Sequence, residues 1–294
     1  MISAHTYDLC IAGLTIRMET DFGFRISEPF APFLCICDKP DYRAVFRRVD
    51  ELPAMPDKVL YQDDCYRIHP NGHGGFLRSF FDAPRDLKPY ASVDCDYSAG
   101  QIGIAYLKKG QEYVSELDNS FFHLGLERIL LQEDRVCLHA SCVSTPMGGL
   151  LFSGVSGIGK STQAELWCRY RGGKLINGDR PILSATEDGV LAWGSPYAGS
   201  SRCYVNESVK ASAIIMLKQA PVCSIRRMKT AEAFRSIYSG LTIQSWDGDF
   251  VARASDLALQ LAMAIPVYEF SCTPDEAAVN FLENALKEGG ENER

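Results

Sequence analysis

The sequence predicts an α/β protein in which a β-rich N-terminal region precedes a phosphate-binding core. Three observations lead to this prediction. Short apolar runs, broken by Pro, Gly and Asp, dominate the chain up to about residue 118 and are typical of strands. Around residues 148–178 the pattern changes to strand, glycine-rich loop, helix and strand. Beyond residue 230, apolar residues recur mainly with helical spacing.

In the first part of the chain, the apolar runs are short enough to be strands. They occupy residues 7–18, 33–38, 59–69, 76–82, 101–107 and 112–117. Residues 119–134 then carry a broad apolar face at helical spacing behind Asn119 or Ser120, either of which could cap a helix. We therefore expect a β-rich region over residues 1–125 and a second domain over residues 126–290.

The second part alternates strands and helices. Strands are predicted at residues 136–143, 149–154, 174–178, 211–219 and 267–272. Helices are predicted at residues 160–171, 230–241, 254–265 and 273–289, the first of them closed by Gly172 and Gly173. This alternation favours a sheet with helices packed on it.

Composition excludes several classes of protein. The 294 residues are 46% hydrophobic and 23% charged, which is ordinary for a globular protein. The net charge of −7 does not favour a nucleic acid partner. No apolar stretch is long enough to span a membrane. The eleven cysteines are odd in number and scattered, and the N-terminus has no basic leader, so we expect reduced thiols in the cytoplasm.

Residues 154–161 fit the phosphate-binding pattern G-x-x-x-x-G-K-[ST]. In this pattern the backbone N–H groups of a glycine-rich loop surround phosphate oxygens at the N-terminus of a helix. Lys160 would neutralise the outer phosphates, and the Ser161 hydroxyl would bind Mg²⁺. The residues predicted to hold the nucleotide are Gly154, Val155, Ser156, Gly157, Ile158, Gly159, Lys160, Ser161 and Thr162.

Asp179 is the second candidate for a magnesium ligand. It follows the predicted strand at residues 174–178, and Mg²⁺ bound to phosphates prefers one or two protein carboxylates or hydroxyls together with water. An aspartate in an ordinary Asn-Gly-Asp turn is the alternative interpretation. The stretch GSPYAGSS at residues 194–201 could line a substrate pocket or form a solvated turn.

Taken in order, the motifs resemble the kinase domain of the HPr kinase/phosphorylase superfamily, which shares its nucleotide-binding fold with phosphoenolpyruvate carboxykinase. The resemblance rests on LHAS at 138–141, GVSGIGKST at 154–162, INGDR at 176–180, GSPYAGSS at 194–201 and PVYEFSCTPDEAA at 266–278. It implies a carboxykinase-like P-loop core that binds Mg²⁺ and ATP, with His139 near the transferred phosphoryl group. It also implies that Asp179 keeps the metal position.

The chain departs from this family at one position. Where the family has two consecutive aspartates, this sequence has Gly178 and Asp179, so the carboxylate that would accept the proton of the acceptor is missing. Loss of a general base typically slows a reaction about 100- to 10,000-fold. Glu165 or His139 could replace it, and the sequence does not decide between them.

The resulting hypothesis is an ATP-dependent, Mg²⁺-requiring phosphotransferase with His139, Lys160 and Asp179 as catalytic residues. The acceptor is a peptide, a protein or a small hydroxyl compound. The alternative is a catalytically impaired nucleotide-binding regulatory or scaffold protein, which Gly178 favours. The sequence leaves open the choice between ATP and GTP, the acceptor and the formation of a homo-oligomer.

Overall fold

The structure, a computed structural model, describes residues 5–72, 75–82 and 88–291. The chain divides into two compact units, Met1–Gln132 and Glu133–Arg294. Each unit contains one large sheet with helices, so the protein is of mixed α/β type. None of the helices in the described residues has both the length and the apolar character needed to cross a bilayer.

The first unit consists mainly of strands. Its described residues form β1 (His5–Ile11), β2 (Leu14–Thr20), β3 (Leu34–Cys35), β4 (Tyr42–Arg48), β5 (Tyr61–Gln62), β6 (Tyr66–Pro70), β7 (Phe76–Phe80), β8 (Ala91–Asp96) and β9 (Gln101–Tyr106). Three short helices follow: α1 (Gln111–Val114), α2 (Leu117–Leu124) and α3 (Leu126–Gln132). Short 3₁₀ helices cover Ala31–Phe33 and Lys108–Gly110.

These strands form a single sheet in the order β3-β1-β2-β4-β9-β8-β7-β6-β5. The pairs β2/β4 and β4/β9 are parallel, and the other neighbours are antiparallel. Burial alternates along β2 and β9, so one face of the sheet packs on the core of the unit. The strands predicted at residues 76–82 and 101–107 are confirmed. Residues 7–18 and 59–69 were each predicted as one strand and instead belong to two strands, and residues 33–38 contain only the short strand β3. One predicted strand is an exception, because it is not a strand at all.

The exception is the predicted strand at residues 112–117. Its first part is helix α1, which follows the 3₁₀ turn at Lys108–Gly110. The chain turns at Ser115, and Leu117 is the first residue of α2. The prediction failed because the apolar positions of so short a run fit both the two-residue period of a strand and the 3.6-residue period of a helix.

The predicted helix at residues 119–134 is two helices. Gly125 has φ of 67°, in the left-handed region, and its N–H bonds to the carbonyls of Phe121 and Phe122 at the end of α2. The guanidinium of the buried Arg78 lies directly against Gly125. A Cβ at this position would lie only 2.5 Å from Arg78 Nη1. The glycine therefore ends α2 and also leaves space for a buried arginine.

The second unit alternates strands and helices. Its described residues form β10 (Arg135–Cys137), β11 (Ala140–Thr145), β12 (Gly148–Ser153), α4 (Lys160–Arg171), β13 (Lys174–Asn177), β14 (Ile182–Thr186), β15 (Gly189–Trp193), β16 (Ser208–Gln219), β17 (Ser224–Arg227), α5 (Thr230–Gly240), α6 (Gly248–Ala264), β18 (Val267–Cys272) and α7 (Glu276–Glu291). A short 3₁₀ helix covers Gly199–Ser201.

The sheet of the second unit runs β10-β14-β15-β16-β12-β11-β13, with β18 also paired to β16 and β17 paired to β18. The pairs β12/β16 and β16/β18 are parallel, so the carboxyl ends of these three strands meet at one edge of the sheet. Helices α4 and α7 pack against this part of the sheet in a core that includes Trp167, Phe152 and Phe270. Parallel strands of this kind bind ligands at their carboxyl ends.

Most predicted elements of this unit are confirmed. Helix α4 spans residues 160–171, and β18 spans residues 267–272, as predicted. The single strand predicted at residues 136–143 is instead the two strands β10 and β11, because the chain turns away from the sheet at Leu138 and His139. Helix α6 begins at Gly248, behind the N-cap Asp247, six residues earlier than predicted.

Candidate functional site

The glycine-rich segment connects the carboxyl end of β12 to the first residue of α4. The strand, loop and helix order that the motif predicted is thus present. Gly154, Gly157 and Gly159 have φ of 140°, 77° and 108°. These angles are strained for residues with a side chain, and this explains the glycines at the three positions.

The loop leaves backbone donors without partners. The N–H groups of Ser156, Gly157 and Gly159 bond to no protein group in the part of the chain that the structure describes. Gly159 is the N-cap of α4 and supplies no capping side chain. The first turn of a 12-residue helix therefore presents free N–H groups and the positive end of its dipole beside the loop.

Lys160 is buried without an acidic partner. Only 8% of the residue is exposed, and its Nζ donates to the carbonyl oxygens of Gly154 and Val155, at 3.1 Å each. None of the described residues places a carboxylate within ion-pair distance of this ammonium. Burial lowers the pKa of Lys160, Asp179 opposes that shift and Arg180 adds to it. Burying an ammonium that is hydrogen-bonded only to neutral carbonyls raises the free energy of the folded state.

Asp179 occupies a turn that is fixed by a buried asparagine. Asn177, at the end of β13, is fully buried, and its Oδ1 accepts hydrogen bonds from the N–H groups of Asp179 (2.9 Å) and Arg180 (2.6 Å). Its Nδ2 donates to the carbonyls of Ser195 (3.2 Å) and Tyr197 (3.3 Å). The turn after β13 is thereby tied to the loop that follows β15.

His139 lies in the turn between β10 and β11. Its N–H donates to the carbonyl of Gly240 (2.8 Å), and its carbonyl accepts from the hydroxyl of Ser153, the last residue of β12. His139 Nε2 lies 3.3 Å from Asp179 Oδ1, and Asp179 Oδ2 lies 3.7 Å from Arg180 Nε. The structure therefore brings together two residues that are far apart in the sequence.

The charges around His139 favour a neutral imidazole. Burial lowers its pKa, and the positive charges of Lys160 and Arg180 lower it further, while Asp179 opposes these effects. A neutral imidazole can accept a proton. Because Lys160 and Asp179 both act on this pKa, the three residues predicted to be catalytic belong to one electrostatic cluster.

No hydrogen bond joins the two predicted magnesium ligands, Ser161 and Asp179, which both lie within the described residues. Ser161 is partly buried, and its hydroxyl makes no hydrogen bond within the described residues. Asp179 is about one-third exposed. The described residues contain no group of three or more His, Cys, Asp or Glu side chains arranged to hold a metal. One hydroxyl and one carboxylate nevertheless fit Mg²⁺, which takes its remaining ligands from phosphates and water.

No side chain can fit at residue 178 without rearrangement. A Cβ on Gly178 would lie 2.1 Å from Ser201 Oγ and 2.4 Å from Ser201 Cβ. The Ser201 hydroxyl donates to the carbonyl of Ala198 (2.6 Å), which holds it in this position. The 3₁₀ turn Gly199–Ser201 thus occupies the space of the missing aspartate. Glu165, the other candidate for a base, is exposed on α4 and bonds to neither His139 nor Asp179.

A cavity of about 530 Å³ lies beside the loop. Gly157, Ile158, Gly159, Thr162 and Gln163 line one part, and Gln219, Ala220, Cys272, Thr273 and Pro274 line the rest. The sequence analysis missed the residues from β16, β18 and their following turns. Their position at the carboxyl ends of strands parallel to β12 is the signal that could have identified them.

Comparison with known proteins assigns no family to the chain. No family model matches the chain, and no curated protein matches it. Among solved structures, the chain is similar to the Hpr(Ser) kinase/phosphatase from Coxiella burnetii, with 15% sequence identity and a TM-score of 0.34. The match covers 53% of this chain and 98% of that chain. The similarity is weak and concerns the fold only.

Proposed function

We propose that the second unit binds a nucleoside triphosphate, ATP in the first instance, with Mg²⁺ and transfers its γ-phosphoryl group to a hydroxyl acceptor. The acceptor would be a peptide, a protein or a small molecule. The observation that carries this proposal is the buried Lys160 ammonium, which has no carboxylate partner among the described residues. It lies beside a loop in which the N–H groups of Ser156, Gly157 and Gly159 are unbonded within the same part of the chain. A polyphosphate would satisfy both groups at once, since it offers negative charge and acceptor oxygens.

Each residue of the cluster has a role in this proposal. The N–H groups of residues 155–162 bind the phosphates, and Lys160 turns from the loop carbonyls to the outer phosphate oxygens. His139, neutral and 3.3 Å from Asp179, accepts the proton of the acceptor hydroxyl. Ser161 and Asp179 would hold Mg²⁺, which supplies neutralisation of the phosphate charge when it is bound. The cavity beside the loop takes the nucleoside.

Nucleotide binding can be tested with Lys160→Met, which keeps a similar shape without the charge. Isothermal titration calorimetry with Mg²⁺–ATP should detect binding to the wild-type protein and none to this variant. Lys210→Met is the matched control, because Lys210 is exposed and lies at the other end of the β12/β16 pair. The Lys160→Met variant should be as stable as the wild type, because it removes a buried charge that lacks an acidic partner. Absence of binding to the wild-type protein would refute the proposal.

A second function, nucleotide binding without transfer, is favoured by the filled space at Gly178. The Ser201 side chain excludes a carboxylate there, so the loop could hold a nucleotide in a regulatory or scaffold protein. Single-turnover incubation with γ-labelled ATP and candidate acceptors separates the two functions. A labelled acceptor, lost in the His139→Gln variant while nucleotide affinity is kept, supports transfer. Tight binding with neither transfer nor hydrolysis supports the second function.

The pH dependence of transfer tests the role of His139. If its imidazole accepts the proton, the rate should fall at acid pH, with a midpoint below the ordinary histidine value of about 6.5. Arg180→Gln removes a positive charge that lowers this pKa, and the midpoint should move toward neutral pH. A pH–rate profile that is identical in the two proteins would exclude His139 as the group that titrates.

A further inference from the structure

Two cysteines occupy opposite positions next to the cavity beside the loop. Cys272 lines this cavity, and Cys223 Sγ lies 3.9 Å from Oγ1 of Thr273, which also lines it. In the antiparallel pair β17/β18, Ser224 is opposite Ser271, so the next pair in the same register is Cys223 and Cys272. Both thiols are free. The side chains of opposite residues lie on the same face of a sheet. Both cysteines accordingly pack in the same hydrophobic cluster, together with Ile225 and Phe270 from the same face.

The hydrogen-bond pattern of this ladder sets the spacing of the pair. The Met228 N–H donates to the carbonyl of Val267, its opposite residue, at 2.8 Å, which makes them a hydrogen-bonded pair. Cys223 immediately precedes β17. Extending the ladder by one pair places Cys223 and Cys272 at a non-hydrogen-bonded position, where Cα atoms are typically about 4.5 Å apart. Disulfides span Cα separations of about 4.4–6.8 Å.

Cys272 also contacts the phosphate-binding helix. Its Sγ lies 3.3 Å from Gln163 Nε2, and the same amide donates to the carbonyl of Thr273 (3.0 Å). Gln163 is in the first turn of α4 and lines the cavity together with Cys272, Thr273 and the loop residue Gly159. A bond that moved the Cys272 sulfur would therefore change the support of Gln163 and the wall of the cavity.

We propose that Cys223 and Cys272 form a reversible disulfide that weakens nucleotide binding at the adjacent loop. The effect on the nucleotide rests on the proposed function, whereas the disulfide does not.

The oxidant is a low-molecular-weight disulfide. The Cys223 thiolate attacks one sulfur of this reagent, which forms a mixed disulfide and releases one thiol. The Cys272 thiolate then attacks the Cys223 sulfur and releases the second thiol, so two protein thiols are oxidised and one reagent disulfide is reduced to two thiols. The protons lost by the cysteines pass to the released thiolates. Cys223 attacks first, because burial raises the pKa of Cys272 to about 11.

The test equilibrates the full chain in glutathione buffers of increasing disulfide content. Peptide mapping by mass spectrometry should identify a Cys223–Cys272 disulfide. Hydrogen exchange should become faster at Ile158 and Gln163, whose N–H groups bond to the carbonyls of Val155 and Gly159. The affinity for Mg²⁺–ATP should fall at least about fivefold, the lower end of typical coupling between linked sites. By reciprocity, the nucleotide should favour the reduced form to the same extent. Cys223→Ser should abolish all these changes, and Cys65→Ser, which removes an exposed thiol, should abolish none.

Two results would overturn the inference. One is the absence of this disulfide at every buffer composition. The other is a disulfide that leaves both hydrogen exchange at Ile158 and Gln163 and nucleotide affinity unchanged. If the reduced protein binds no nucleotide, the proposed function fails. Peptide mapping and hydrogen exchange then still decide whether Cys223 and Cys272 form a disulfide that alters the loop. Cys272→Ala, which keeps a small apolar side chain, provides a second variant should Cys223→Ser fold poorly.

Discussion

Replacement of Gly178 by aspartate should destabilise the second unit, and the additional change Ser201→Gly should recover part of that loss. A Cβ at residue 178 would lie 2.1 Å from Ser201 Oγ, 2.4 Å from Ser201 Cβ and 3.2 Å from the carbonyl oxygen of Ala198. The first two contacts are far below van der Waals separation. Ser201→Gly removes both atoms and leaves only the tight contact with Ala198.

The structure sets the size of these effects. Overpacking of a filled site costs about 1–3 kcal/mol, and we expect Gly178→Asp to lie at the upper end. Ser201→Gly alone should cost about 1–2 kcal/mol, because it removes the hydrogen bond to Ala198 and adds a flexible residue. In the double variant the clash with Ser201 is absent. The loss should therefore be smaller than the sum of the single losses by about 2–3 kcal/mol, which exceeds the cost of Ser201→Gly itself.

Urea unfolding followed by tryptophan fluorescence is a suitable assay, because the three tryptophans, Trp167, Trp193 and Trp246, all belong to the second unit. Gly248→Asp is the matched control, since a Cβ there meets nothing within 4 Å. It should change the unfolding free energy by less than about 0.5 kcal/mol. A Gly178→Asp protein as stable as the wild type, or two single losses that simply add, would refute the packing argument.

Two further predictions concern the first unit, and circular dichroism during urea unfolding checks both. Gly125→Ala should lower the free energy of unfolding by about 2–4 kcal/mol, because it places a side chain at a left-handed φ of 67° and a Cβ 2.5 Å from Arg78 Nη1. A loss below about 1 kcal/mol would contradict this prediction. Burial lowers the pKa of His123 to about 3. Between about pH 6.5 and pH 3 this histidine is therefore protonated in the unfolded chain and neutral in the folded protein. As the pH falls through this range, His123 should lower the free energy of unfolding by about 1.4 kcal/mol per pH unit. His123→Gln should remove that contribution to the slope, whereas His5→Gln, at an exposed position, should keep it.

The sequence predicted best those elements whose ends carry their own signals. Helix α4 begins at the lysine of the motif and ends before Gly172, and β18 is a short apolar run that follows a proline. Strands β4 and β8 were missed for a physical reason. Their exposed positions carry Arg43, Arg47, Asp94 and similar residues, which made each strand look like a charged connection. Both strands are recognised only through their partners in the sheet.

For the candidate site, the sequence predicted local backbone geometry better than contacts between distant residues. The loop motif predicted the positions of the free N–H groups and of Lys160, because the spacing of a local motif fixes local geometry. The burial of Lys160 without an acidic partner depends on distant parts of the unit, and so does the approach of His139 to Asp179. The pairing of β11 with β13 and the bonds of Asn177 create that approach, and neither is encoded locally.

The position of Ser201 changes how Gly178 should be interpreted. Taken alone, a glycine in place of a carboxylate reads as the loss of a catalytic group. In the structure, however, the turn at Gly199–Ser201 fills the space beside Gly178, so an acid could not be restored by a single substitution. Of the two candidate replacements, Glu165 is exposed on α4, while His139 contacts Asp179 and is kept neutral by its surroundings. If the site transfers phosphoryl groups, the double variant Gly178→Asp/Ser201→Gly should therefore lose much of its dependence on His139. We expect His139→Gln to slow transfer about 100- to 10,000-fold in the wild type and much less in the double variant. An equal loss in both proteins would show that His139 does not act as the base.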